Sequence, residues 1–315
     1  MSGFLITSIL LLARLQVEQR EESRARSMRR FYLRRTLRIF PLYYFAIVMA
    51  LAFAPQPARE QLPWLASYTY NIWISALGWW PPYFSHFWSL CVEEQFYLLW
   101  PWVVLYAPWR GLKRLALAVI LAGPMYRWMA GELELSNVAI YAFTLSSMDA
   151  LGMGALLAVV SRGRIAEQRV EVGLRWIAFP LGVAGLAVLH TIDVHAGIKL
   201  PQVVLFDTFA ALVFVWLVAA ASRGIGGLGN ALLGTRPIVY LGTVSYGVYV
   251  YHLFMPDLLR PAFALFGIYI APKGVTEFLI VSMATVATAI ASWHLMERPI
   301  IAFGKTQISS RSRIK

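Results

Sequence analysis

The chain reads as a train of apolar stretches separated by short polar linkers. The stretches are 2–13, 39–54, 84–106, 115–130, 138–160, 174–192, 203–221, 237–255 and 276–296. A bilayer core about 30 Å thick takes about 20 helical residues, and backbone in lipid must satisfy its own hydrogen bonds. Each stretch is therefore expected to be a helix. The linkers alternate in charge. Arg14 to Arg38 is densely basic, and the later basic linkers hold Arg110, Lys113 and Arg114; Arg162, Arg164 and Arg169; Arg223 and Arg236; and Arg298, Lys305, Arg311, Arg313 and Lys315. The linkers between them are poorer in cations: Arg59 and Glu60; Glu132 and Glu134; Asp193, His195 and Lys199; Arg260 and Lys273. The positive-inside rule puts the basic set, and the C-terminus, in the cytoplasm. The alternation holds only if residues 62–82 do not span. With Pro63, Trp64, Trp73, Trp79, Trp80, Pro81 and Pro82, they suit an outer-face interfacial element. The expected fold is all-α, a polytopic transmembrane helix bundle of about nine membrane segments.

Composition agrees. Of 315 residues, 59% are hydrophobic and 14% charged, with mean hydropathy +0.62. Soluble domains are about 25% charged, so a separate soluble domain is not expected. Cys91 is the only cysteine, which excludes an intrachain disulfide. The net charge of +12 sits in linkers, where it reads as a topology signal, and no nucleic-acid motif accompanies it. No internal repeat is evident. Residues 2–13 are short for a span, and their positive charges follow the apolar run, unlike a signal peptide. They read as the second half of a span whose beginning is absent.

The polar groups inside apolar stretches are the candidates for chemistry. The segment HFWSLCVEEQFYLLWP, residues 86–101, keeps Glu93, Glu94 and Gln95 in a row. Three successive helical residues cover an arc of roughly 200°, so part of that arc must face protein or a water-filled cavity. His86, Ser89, Glu93 and Trp100 share one helix face, with His86 near the outer side and Glu93 about 10 Å deeper. Glu93 or Glu94 can pair with an Arg or Tyr of a neighbour and lock the bundle, or line a polar reaction chamber. Arg34 and Arg38, and Arg35 and Arg38, lie one turn apart where FYLRRTLRIFPLYY enters its span from the inner side. They can be snorkelling anchors or forks for the phosphates of a carrier such as coenzyme A. Ser245, Tyr249 and His252 form a stripe that places His252 at the level of His86. Either histidine can be a satisfied interfacial residue or part of a site; no spacing resembles a tight metal site. Asp149 can be structural or chemical, and Gly152 and Gly154 read as helix contacts. His294, Glu297 and Arg298 read as an ion-paired terminus closed by Pro299.

Taken together, SGFLIT (2–7), RRFYLRRTLRIFPLYY (29–44), HFWSLCVEEQFYLLWP (86–101), MDALGMGALLA (148–158), SYGVYVYH (245–252) and MERPI (296–300) resemble the acyltransferase 3 family of integral membrane enzymes. The resemblance implies a ten-helix bundle in the cell membrane. It implies transfer of an acyl group, usually acetyl, from acyl-CoA to a hydroxyl of a polysaccharide, glycolipid or small acceptor. No permanently bound cofactor is implied. It puts Glu93, Glu94 and Gln95 in the interior chamber and matches Arg35 and Arg38 to an Arg-x-x-Arg element. His86, His252 and Arg34 are site candidates from the residue pattern, and neither histidine inherits the role of the family's first-helix His by alignment. The family's first helix carries an Arg and, ten residues on, a His. It normally precedes SGFLIT, which here follows Met1, so residues 1–300 are expected to be an N-terminally truncated acyltransferase domain and 301–315 a basic cytoplasmic tail. The other reading is a non-catalytic or transporter-like membrane protein that keeps the polar interior.

Overall fold

The structure is a computed structural model that describes residues 1–53, 56–162, 164–196, 199–224, 227–267 and 274–310. All regular elements among them are helical. The expectations placed on Lys273, Arg311, Arg313 and Lys315 lie outside the described residues. The chain divides into two compact units, one of Met1–Ser27, Tyr68–Trp80 and Trp88–Gly226, the other of Met28–Ser67, Pro81–Phe87 and Gly227–Lys315.

The first unit is built on α1 (Ser2–Glu18), α3 (Tyr70–Leu77), α4 (Phe87–Tyr106, from Trp88 on), α5 (Trp109–Glu132), α6 (Asn137–Ala142), α7 (Met148–Val160), α8 (Phe179–Ala196) and α9 (Lys199–Arg223). Its centre is α7, which packs against α1, α5 and α9. Small residues permit that approach, as expected where lipid removes the hydrophobic drive between helices. A methyl group on Gly154 would lie 2.7 Å from the Phe4 nitrogen, and one on Gly152 would lie 2.9 Å from the Ile120 nitrogen. The expected contact role of both glycines is met. Short elements are fixed locally. Gly78 ends α3 in the left-handed region at φ 76°, and the Ser136 hydroxyl accepts from the Ala139 N–H at 3.1 Å to start α6.

The second unit holds most of α2 (Arg24–Phe53), the short helix Leu62–Ala66, α10 (Arg236–Tyr251), α11 (Met255–Ala264), α12 (Val275–Ser292) and α13 (Arg298–Ser310). Gly247 lets α10 approach Ala289 of α12. The Tyr43 and Tyr44 hydroxyls of α2 donate to the carbonyls of Leu65 and Ala66, each at 2.9 Å. This ties down the tryptophan- and proline-rich stretch, which forms short helices and no span, as its composition predicts.

Two boundaries differ from the pattern reading. Residues 237–255 are not one straight helix: α10 stops at Tyr251 and α11 leaves at 71°. Pro256 has no N–H to bond the His252 carbonyl, so the ladder breaks there. Pro299, by contrast, does not close its helix. Val275–Gly304 is continuous, and a π turn at Trp293–Glu297 loosens the ladder just ahead of the proline. Three helices among the described residues are long and apolar enough to cross a membrane, four if the bent pair counts as one span. That measure leaves the expected count of nine unconfirmed. Arg24–Phe53 begins with seven arginines and Phe87–Tyr106 carries two glutamates, which lowers their apolarity.

Candidate functional site

In the first unit, the polar triplet of α4 splits among different partners. Glu93 accepts from the Ser2 hydroxyl at 2.6 Å and, one turn along its own helix, from the Tyr97 hydroxyl at 2.8 Å. Trp100 is on the same face and donates from Nε1 to Thr7 at 2.8 Å. The face predicted for Glu93 and Trp100 therefore meets α1. Gln95 points elsewhere. Its amide donates to the Tyr68 carbonyl at 2.8 Å and to Asn71 at 2.9 Å, and its oxygen accepts from Thr144. Asn71, fully buried, donates in turn to the Ala142 carbonyl at 3.2 Å. Glu94 is half-buried. The helix keeps its polar side chains because protein groups, rather than lipid, receive them.

Asp149 belongs to a second polar cluster, and its partner is a residue that the pattern reading missed. Arg127 and Asp149 are both fully buried, with Nη2 2.6 Å from Oδ2. Thr208 accepts from Arg127 at 2.8 Å and donates to Asp149 at 2.6 Å. Arg127 also donates from Nε to the Val204 carbonyl at 3.0 Å and from Nη1 to the Ser146 carbonyl. Every guanidinium nitrogen is engaged, so the structure favours the structural reading of Asp149. A lone arginine inside the 115–130 stretch was the available signal, because an ionisable residue there needs a named partner.

In the second unit, the two histidines meet. His86 lies just ahead of α4 and His252 caps α10, where the helix breaks. Their rings stand edge to face with centroids 5.0 Å apart. Phe87, Tyr249 and Phe254 pack against His86, Tyr249 also meets His252, and Phe84 packs behind on Phe87 and Phe254. His86 Nε2 lies 3.2 Å from the Val250 carbonyl. A carbonyl only accepts, so this nitrogen carries the hydrogen, and the tautomer follows from the partner. Nδ1 of the neutral ring is then a bare lone pair, buried, with no hydrogen-bond partner among the described residues. His252 Nδ1 lies 2.6 Å from the Tyr249 carbonyl, which leaves its Nε2 as the lone-pair nitrogen. The Tyr249 hydroxyl donates to the His86 carbonyl and fixes the backbone between the rings. Ser245 bonds within its own helix and does not join them.

The α2 arginines are also in this unit. Arg34 and Arg38 are exposed and Arg35 half-buried. Arg38 is within electrostatic reach of Glu297, which is buried in the π turn and accepts from Ser292 at 3.2 Å. His294 pairs with the Tyr240 hydroxyl at 2.8 Å instead of joining an ion-paired end. Among the described residues, no three His, Cys, Asp or Glu side chains converge as a metal site would require.

Comparison with known proteins agrees with this arrangement of motifs. A family model described as an acyltransferase domain, acyltransferase 3, matches residues 1–296. The peptidoglycan O-acetyltransferase OatA of Listeria monocytogenes is 26% identical across 95% of this chain and 50% of its own. The O-acetyltransferase OatA of Staphylococcus aureus is 25% identical across 80% of this chain and 43% of its own. The chain thus spans about half the length of these curated relatives. No solved structure matches it. With a family model covering nearly all of it, this helical, multi-pass membrane chain belongs to the acyltransferase 3 family.

Proposed function

We propose that the protein O-acetylates a hydroxyl of a polysaccharide acceptor, and that His86 Nδ1 is the general base. The observation that carries this reading is a neutral imidazole held by its Nε2–H, with a buried, unpartnered Nδ1 beside a second histidine. An alcohol is a poor nucleophile at neutral pH and needs a base within hydrogen-bond reach. In the proposed step, Nδ1 takes the hydroxyl proton as the oxygen attacks the acyl carbonyl carbon. The carbon–sulfur bond of an acyl-CoA thioester then breaks. The thiolate leaves and takes up the proton, and an ester remains on the acceptor. His252, whose Nε2 is free of its own helix, is proposed to steady the imidazolium. Arg34, Arg35 and Arg38 are proposed to hold donor phosphates, and Glu93 with Glu94 to supply negative potential in the transfer path. A polysaccharide such as peptidoglycan is the proposed acceptor, by analogy with the names of the relatives.

One observation favours a second reading. The bent pair α10–α11 is a broken helix, a device that translocators use at their sites. Transfer assays on the purified chain in nanodiscs separate the two. With labelled acetyl-CoA and muropeptide or polysaccharide acceptors, the parent should form ester. His86→Gln should lower kcat by about 10²–10⁴-fold, the usual contribution of a general base. Ester formation by His86→Gln at the parent rate would remove the base assignment. Acceptor flux without ester formation would favour the translocator.

A further inference from the structure

Two helices of the first unit end at the same dipeptide: Ser161-Arg162 follows α7 and Ser222-Arg223 closes α9. The structure brings these ends to one cavity of about 150 Å³ beside α1, with Ser8, Ser161, Ser222 and Arg223 as its polar wall. Phe4 and Leu157 supply an apolar side. The basic linkers assign this end to the cytoplasmic face. The Ser8 and Ser161 hydroxyls make no hydrogen bond to another described residue, whereas the Ser222 hydroxyl donates to the Ala219 carbonyl at 2.9 Å. Arg223 stands 3.6 Å from the half-exposed Glu171. Just outside, Arg162 lies 3.9 Å over the Trp109 ring and Arg14 lies 4.0 Å over the same ring. Arg162 directly follows Ser161 of the cavity wall, and the Trp109 ring holds its guanidinium beside that wall.

The end carbonyls of two helices would repel an anion by themselves. Attraction must therefore come from side chains, which here are a guanidinium inside, another at the rim and open hydroxyls between them. Around them α9 exposes Phe214 and Leu217, as a lipid-facing helix does. Basic pockets between membrane helices on the cytoplasmic side accept lipid head groups. We infer that this cavity binds the phosphate of an anionic phospholipid from the inner leaflet. The Ser8 and Ser161 hydroxyls donate to the phosphate oxygens, Arg223 and Arg162 supply the charge, and the acyl chains lie on the apolar side. This is a binding site separate from the proposed chemistry, and it stands whether or not His86 is the base.

Native mass spectrometry of the full chain, released from micelles doped with phosphatidylglycerol or phosphatidylcholine, reads the site directly. The parent should retain one phosphatidylglycerol in preference to phosphatidylcholine. Arg223→Gln should weaken that retention about fivefold, the effect of one basic residue near an anionic headgroup, and Arg223→Lys less. The pair Ser8→Ala with Ser161→Ala disturbs no ion pair. It carries the test should Arg223→Gln shift the melting point in detergent alone. Equal retention of the two lipids, or unchanged phosphatidylglycerol retention in the serine pair, would overturn the site. Protection by inorganic phosphate at the same concentration as the lipid would assign it to a free anion instead and overturn the lipid.

Discussion

Gly123 and Asp149 are so close that a methyl group at position 123 would lie 2.9 Å from the aspartate carboxyl carbon. The glycine of α5 makes room for the acid of α7, one helical turn before α5 supplies the acid's partner, Arg127. The ion pair therefore depends on a residue with no polar group. Breaking a buried pair leaves an uncompensated charge and costs about 3–5 kcal/mol. Asp149→Ala should lower thermal stability in detergent by an amount of that order, and Gly123→Ala by about 1–3 kcal/mol through overpacking. The double change Arg127→Leu with Asp149→Leu should cost less than the two single changes together. Thermal midpoints from size-exclusion profiles read all of these, and additive losses would show that the pair is not coupled.

Glu93 accepts two hydroxyl donors, and a glutamine can keep both partners because Ser2 and Tyr97 can each turn to accept. Glu93→Gln should therefore insert and fold normally. If its charge serves transfer, kcat should fall about tenfold or more, equivalent to ~1.4 kcal/mol of barrier. A well-folded Glu93→Gln and a well-folded Glu94→Gln that both work at the parent rate would reduce the carboxylates to packing roles.

Arg35 and Arg38 are proposed to fork around donor phosphates. Alanine at both should weaken binding of a CoA thioester by about tenfold or more, and lysine should restore only part, since a point charge does not replace a bidentate donor. Isothermal titration with acetyl-CoA and with a CoA-free thioester distinguishes phosphate recognition from thioester recognition. Unchanged affinity in the double alanine variant would leave both as membrane anchors.

Sidedness can be read with single cysteines in a Cys91→Ala background, since the native thiol is buried. Cysteines at Lys113 and Arg169 should label only after the membrane is opened. Cysteines at Glu60 and Glu134 should label in intact cells. All four positions are exposed on the protein. Labelling of Arg169→Cys from outside would invert or break the charge-based topology.

Much of this protein was legible without coordinates, because the bilayer reduces structure to few choices. Backbone in lipid must be helical or closed, so apolar length alone predicts an all-α chain. The tryptophan-rich stretch 62–82 was legible for the same reason, since its prolines and indoles suit an interface better than a span. The two histidines could be placed at one level from helix rise and linker charge. The shared face of Glu93 and Trp100 followed from helical spacing.

Partners were another matter, because they come from segments far apart in the chain and from packing at the scale of single atoms. Nothing in residues 86–101 says that Glu93 takes the hydroxyl of Ser2 while Gln95 turns to Asn71. Arg127 and Asp149 are 22 positions apart, and only the packing of α5 on α7 joins them. Pro256 breaks its helix after His252 whereas the helix continues past Pro299, because the outcome depends on whether neighbouring turns can rearrange around a missing N–H. Hydropathy, spacing and charge were enough to give the class, the helices and the polar residues that lipid would not tolerate unaided. Packing sets which carboxylates are spent on ion pairs, which imidazole nitrogen is bare and where the ends of α7 and α9 share a cavity. Those outcomes rest on distances of a few ångströms between side chains, which hydropathy and charge do not encode.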